Sequence, residues 1–371
     1  MKTPGRLSDP GLGRQLLRRV QEAAARAADQ LGRPALLMEV CGTHTMVLSS
    51  TGLRGLLAGL LELRSGPGCP VCVTPAAGIE ALMELARLPG VILATFGDMI
   101  RVPGQNGSLE LERARGARVQ VVYSPSDAAV LARENPNRQV ILAGVGFETT
   151  APMVAASLLQ ASSEYLPNFS VYSLHKLVPP VMRALLETTE VQVDGFILPG
   201  HVSAVTGSRA FDFIGRKYNI PAVVAGFTPV EVLAALHLLL GQILSGTAST
   251  ANAYPWVVRE EGNKRAREVM ETCFYPGDSH WRGLGQIQAS GLLIRDEFAR
   301  YDAGHKFKVG PPAAEEPPGC RCGELLRGVI TPLECALYGQ RCTPASPVGP
   351  CMVSSEGACA AYLGEVPRRI D

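Results

Sequence analysis

Two hydrophobic rhythms alternate along the chain. Leu16, Leu17, Val20, Ala24, Ala27 and Leu31 fall on one stripe at helical spacing, with Arg and Glu on the opposite face, which predicts an opening helix over residues 10–32. After Pro34 the pattern changes to short apolar runs: Ala35 to Val40, Gly90 to Phe96, Arg118 to Tyr123, Val140 to Val145, Gly195 to Leu198 and Ala222 to Ala225. These runs are rich in Val, Ile and Leu and do not alternate, as expected of strands buried on both faces. Segments of helical periodicity lie between them, among them Ala76 to Leu88, Ala151 to Leu159, Val181 to Glu187 and Pro229 to Leu244. Strand–helix alternation of this kind predicts an α/β fold with open parallel sheets. From Asn252 the character shifts. A helical stretch at Asn263 to Thr272 and a proline-rich linker, residues 309–318, precede a tail in which Gly, Pro and Cys leave little regular structure.

Length and composition narrow the picture. At roughly 100–200 residues per domain, 371 residues suggest two or three domains. The expected division is an N-terminal helix (1–34), two α/β domains (35–140 and 141–255) and a C-terminal domain (256–371). With 35 Lys+Arg against 34 Asp+Glu, the charge balance gives no case for nucleic acid or an anionic membrane as partner. There is no apolar run of membrane-spanning length, and MKTPGRLSDPGLGRQLLRRV lacks the apolar core of a signal peptide. A soluble, cytoplasmic protein is expected.

Ten cysteines in such a chain ask for an explanation, because reduced cytosolic thiols in clusters point to metal or redox chemistry. Cys320, Cys322, Cys335, Cys342, Cys351 and Cys359 follow C-x-C-x12-C-x6-C-x8-C-x7-C, which is neither a zinc ribbon nor a bacterial ferredoxin run. Four of these thiolates satisfy a [4Fe–4S] cluster, and structural zinc is the competing occupant. Cys69-Pro70-Val71-Cys72, presented after Gly66-Pro67-Gly68, is a C-x-x-C that can close a disulfide, bind metal or supply a nucleophile. Cys41, with His44 three residues on, ends a predicted strand, as a thiolate metal ligand or as an ordinary buried cysteine. Asp98, Glu148, Thr149 and His201 also follow apolar runs directly. The carboxyl ends of strands are where open α/β sheets bind ligands, so a shared cleft is expected there. His175, His237, His280, His305 and Cys273 have no chemical neighbours in sequence and read as fold residues. No phosphate loop, dinucleotide fingerprint, nucleophile elbow or H-E-x-x-H occurs.

Taken in order, Met38-Glu39-Val40-Cys41-Gly42-Thr43-His44-Thr45, Gly66 to Cys72, Gly146-Phe147-Glu148-Thr149-Thr150-Ala151-Pro152, Pro199-Gly200-His201-Val202-Ser203 and Cys351 to Cys359 resemble the HypD family of [NiFe]-hydrogenase maturation proteins. The resemblance runs from about residue 35 to about 362. It implies two similar α/β domains with a small [4Fe–4S] domain, and a scaffold that holds iron together with a HypC-type chaperone. Cyanide from a HypE-type donor and carbon monoxide would be attached there to form Fe(CN)2CO. On this resemblance Cys41 is the iron ligand with His44 beside it, and Cys69 and Cys72 are a redox dithiol. Cys322, Cys335, Cys342 and Cys359 are the cluster ligands, with Cys351 as chief competitor and Cys320 behind it. The rival function is a [4Fe–4S]-dependent thiol–disulfide oxidoreductase acting on a protein disulfide. That reading shares the dithiol and the tail but does not need Cys41 as an iron ligand.

Overall fold

The computed structural model describes residues 10–188, 190 and 192–365. The first nine residues of the expected N-terminal segment and the last six of the expected C-terminal segment lie outside that range. The strands in chain order are β1 (Ala35–Glu39), β2 (Leu61–Ser65), β3 (Val91–Thr95), β4 (Val119–Val121), β5 (Gln139–Gly144), β6 (Phe169–Ser173), β7 (Gly195–Pro199), β8 (Ala222–Ala225), β9 (Thr250–Asn252), β10 (Phe274–Trp281) and β11 (Gly285–Ile294). They form a five-stranded sheet of order β2-β1-β7-β8-β9, a four-stranded sheet of order β4-β3-β5-β6 and a β10–β11 hairpin. Every pair within the two larger sheets is parallel. The α/β class with two parallel sheets and a cysteine-rich C-terminal region is what the apolar runs predict.

Sheet membership does not follow the expected boundary at residues 140 and 141. β1 and β2 pair with β7, β8 and β9, while β3 to β6 build the other sheet between them in sequence. The chain thus leaves the first sheet after β2, completes a second one, and returns at β7. A buried apolar run states that both faces of a strand are covered but carries no record of which strands lie at its edges. β1 takes β2 on one edge and β7, from about 160 residues downstream, on the other.

Each sheet is covered by helices whose apolar stripes match the predicted ones. Val20, Ala23, Ala24 and Ala27 of the helix Pro10–Leu31 are buried against the helix Pro229–Ser245. That second helix begins with a reciprocal cap: Thr228 accepts from the Glu231 amide while Glu231 accepts from the Thr228 amide at 2.8 Å. Among the described residues no helix is long and apolar enough to cross a membrane.

The cysteine-rich tail is docked rather than appended. Arg54 makes a buried ion pair with Glu39 of β1 at 2.8 Å, donates to the Tyr362 hydroxyl at 2.8 Å, and lies over the Tyr362 ring. This network ties the short helix Ala358–Leu363 to β1 and so fixes the loop that precedes it. On the other flank Gly283, after β10, sits so close to Gly323 that a Cβ would lie 2.2 Å from the Gly323 Cα, and its φ of +73° already favours glycine.

Candidate functional site

Carboxyl ends from both sheets converge on one cleft of about 450 Å³. Cys41 and Thr43 enter from the end of β1, His201 from the end of β7, and Phe147, Thr149 and Thr150 from the end of β5, with Glu356 of the tail closing it. The shared cleft expected from the sequence is therefore present for Cys41, Thr149 and His201. Asp98 is not part of it, being exposed on a 3-10 turn after β3. Glu148 is next to the cleft in sequence but turns away. Its buried carboxylate accepts from the Val178 amide at 2.9 Å, at the start of the helix Val178–Glu187, and burial pushes it up to about 7.

Cys41 caps the helix Gly42–Ser50 in extended conformation. Two glycines let the chain close around it. A Cβ on Gly68 would lie 2.3 Å from the Cys41 nitrogen, and one on Gly42 would lie 2.4 Å from the Glu356 carbonyl oxygen. Gly68 brings the C-x-x-C loop against one side of Cys41, and Gly42 admits the tail on the other. The Cys41 thiol is nearly buried and pushed up to about 11, first by burial and then by the charge of Glu356. A metal bound there must displace the proton. Thr43 donates to Glu356 at 2.7 Å, which orients that carboxylate.

His44 is fully buried and lies behind the cleft wall rather than in its lining. Its Nε2 donates to the Gly226 carbonyl at 3.0 Å, and burial lowers it to about 4, so the ring is neutral. Phe227 stands between the two imidazoles, stacked on His44 at 4.9 Å and on His201 at 3.6 Å between ring centroids. His201 is the imidazole that faces the cleft and is open to solvent; partial desolvation lowers its pKa while Glu356 acts in the opposite sense.

The thiols form a continuous series. Cys69 caps the short helix Pro70–Val73, accepts from the Cys72 amide at 3.3 Å, and lies 2.6 Å from the Cys72 sulfur. Cys72 and Cys351 influence one another's ionisation, Cys351 lies 2.7 Å from Cys322, and Cys322 and Cys320 interact in the same way. All six tail cysteines line one apolar pocket. They are not equivalent within it. Cys322 and Cys351 lie 2.7 Å apart on the side toward Cys72, while Cys342, Cys320, Cys335 and also Cys351 interact electrostatically with Cys359. All four cysteines of the expected ligand set, Cys322, Cys335, Cys342 and Cys359, line this pocket together with the competitors Cys351 and Cys320. Gly349 leaves room for the Cys320 sulfur, which a Cβ there would approach to 2.5 Å. The Val348 amide also points at the Cys342 sulfur at 3.3 Å.

Arg282 completes the arrangement from the hairpin. It is almost wholly buried, donates from Nε to the Thr74 carbonyl at 2.9 Å and pairs with Glu316 of the proline-rich linker. Burial lowers its pKa, and Cys322, Cys351, Cys320 and Cys72 partly restore it. Sequence reasoning missed Arg282, Phe227, Thr43 and Glu356 as site residues. Glu356 lies inside the Cys351–Cys359 motif and could have been singled out there. Arg282 and Phe227 carry no local signal, since only packing brings them to thiols or imidazoles.

A two-sheet α/β scaffold with a cysteine at a cleft, a pair of cysteines beside it and a cysteine-lined pocket behind it presents a set of soft donors that fits metal binding. Residues 13–364 match the family model described as HypD, hydrogenase formation hypA family. The chain is 46% identical to the hydrogenase maturation factor HypD of Rhodobacter capsulatus over 98% of this chain and 97% of that protein. It is 43% identical to HypD of Escherichia coli over 94% of each, and 42% identical to the hydrogenase expression/formation protein HupD of Azotobacter chroococcum over 98% and 96%. The chain belongs to the HypD family of hydrogenase maturation factors.

Proposed function

We propose that this maturation factor holds an iron ion at Cys41, jointly with a HypC-type chaperone, while cyanide from a HypE-type donor and carbon monoxide are attached to form Fe(CN)2CO. The observation that carries the reading is the placement of Cys41. Its thiol lies at a cleft open to a partner, with the Cys69–Cys72 loop packed against its own backbone. Iron bearing cyanide and carbonyl ligands is low-spin and favours soft thiolate donors, which Cys41 supplies. His201, Thr149 and Glu356 surround the space beside that sulfur and can donate to or accept from ligands on the iron. Thr43 holds the Glu356 carboxylate, and Phe227 holds the His201 ring.

The tail pocket fits a [4Fe–4S] group. Cys322, Cys335, Cys342 and Cys359 are four soft donors around an apolar space, one per iron, with Cys351 as chief competitor and the Val348 amide aimed at the Cys342 sulfur. When bound there, the cluster supplies one-electron reducing equivalents. The chain's own contribution is the thiol series. Cys351 stands between Cys322 of the pocket and Cys72 of the dithiol, and Arg282 places a fixed positive charge beside them. The rival oxidoreductase reading uses the same series and leaves Cys41 without a task.

Infrared spectra of the anaerobically purified protein, co-expressed with a HypC-type chaperone, separate the two. Cyanide and carbonyl stretching bands present in the wild type and absent from Cys41→Ala support the scaffold. Bands that persist in Cys41→Ala, or a wild type with no bands and an intact iron–sulfur chromophore, overturn it.

A further inference from the structure

At the opposite end of the four-stranded sheet from the cysteine cleft, the amino ends of β3, β4 and β5 enclose a second cavity of about 340 Å³. Its charge is lopsided. Arg87, Arg115, Arg118 and Arg138 line it against the single carboxylate of Glu112, a surplus of three positive charges in a chain whose net charge is +1. Like charges gathered in one concavity repel, and folding alone gives no reason to gather them.

The arrangement is partly organised in advance. The buried Glu112 carboxylate accepts from Arg87 Nε at 2.9 Å and Nη2 at 2.8 Å, and from Arg115 Nη1 at 2.9 Å. These bonds lower the Glu112 pKa, so it is charged and holds both guanidinium groups in place at neutral pH. Glu80 and Glu84, on the helix that carries Arg87, also act on it but do not line the cavity. Arg118 and Arg138 have no carboxylate partner among the described residues. The turns at Gly90 and Gly116 put no side chain into the space, and a Cβ at either glycine would meet nothing within 4 Å.

We infer that this cavity is a binding site for a small oxyanion of the phosphate class carrying two or more negative charges. Guanidinium forks match tetrahedral oxyanions bidentately, and two of the four forks are uncommitted while two are fixed. The cavity is larger than a single phosphate needs, which favours a diphosphate or the phosphate end of a larger molecule. The site is independent of the iron reading and shares no residue with the cysteine cleft.

Isothermal titration of inorganic pyrophosphate into the purified full chain tests it at low salt. Saturable one-site binding is expected, with affinity falling as salt rises. The double variant Arg118→Ser/Arg138→Ser should bind at least about tenfold more weakly while unfolding at the same temperature as the wild type. If that variant fails to fold, Arg118→Gln alone should weaken binding in the same direction. No saturable heat up to about 10 mM pyrophosphate, or an affinity that the variants leave unchanged, overturns the inference. Displacement of pyrophosphate by an equal concentration of sulfate also overturns it, because the site would then not discriminate by charge and size.

Discussion

The Cys41 edge and the cysteine module hold their thiols by opposite means. Cys41 is placed by regular structure: a strand end, a helix start, and two glycine contacts that let neighbouring chain pass within van der Waals limits. The tail cysteines sit in short turns and single-turn helices, where little but the cysteines and their docking contacts defines the geometry. A site built on strands and helices keeps its shape when empty, while a module of turns depends on what it binds and on what it is docked against. The contacts between the two regions are therefore the place to test the difference.

The largest effect is expected at the ion pair that joins them. Arg54→Ala leaves Glu39 charged and buried and releases Tyr362, and should cost about 3–5 kcal/mol. Denaturant unfolding measures that cost, and limited proteolysis should cut first in the tail. A loss below 1 kcal/mol would mean that the tail does not depend on this tie.

Glu148 sharpens the comparison from the ordered side. Its carboxyl is raised in the folded state, so the native protein holds a proton there that the unfolded chain has lost. Its contribution is present below the unfolded pKa of about 4.5 and is lost as pH rises through about 7. Glu148→Gln keeps an oxygen for the Val178 amide and removes the charge. It should stabilise the protein by about 2–3 kcal/mol at pH 8 and by much less at pH 5. Thermal melts at the two pH values check the sign, and an equal effect at both would refute the burial argument.

Thr43→Val is the smaller break, because it removes one hydrogen bond to the Glu356 carboxylate. A loss of about 1–2 kcal/mol is expected, together with shifted cyanide band frequencies if Glu356 faces the iron ligands. The smallest change is at Tyr123, which is 93% exposed and lines neither the cleft nor the cysteine pocket. Tyr123→Ser should alter stability by about 0.5 kcal/mol or less and leave the spectra untouched.

Much of the fold was legible because burial leaves a mark on local composition. All six apolar runs that predicted strands contain one, and the stripe over residues 10–32 became the helix Pro10–Leu31. Five strands escaped notice, β2, β6, β9, β10 and β11. β6 is buried but interleaves two serines with its three apolar residues, and β11 mixes Gly, Gln and Ser into the stretch before its apolar end. The others are of a different kind. β2 alternates buried and exposed positions at a sheet edge, β9 is three half-buried residues, and β10 reads as polar along most of its length. Their apolar content is too thin to separate from a loop until a partner strand is in view.

The sequence by itself determined the α/β class, the concentration of chemistry at strand ends, the dithiol and the cysteine-rich tail, and its ordered motifs pointed to the HypD family. Each of these is local, set by the residues within one element or one motif. Tertiary structure alone decided that β1 pairs with β7, that His201 and not His44 faces the cleft, and that Glu148 turns away as a helix cap. It also decided that Cys351 lies beside both Cys322 and Cys72, and that Arg282 and Glu356 belong to the site. Those outcomes depend on which distant segments share a buried surface, and a residue's own neighbours in sequence hold no information about that.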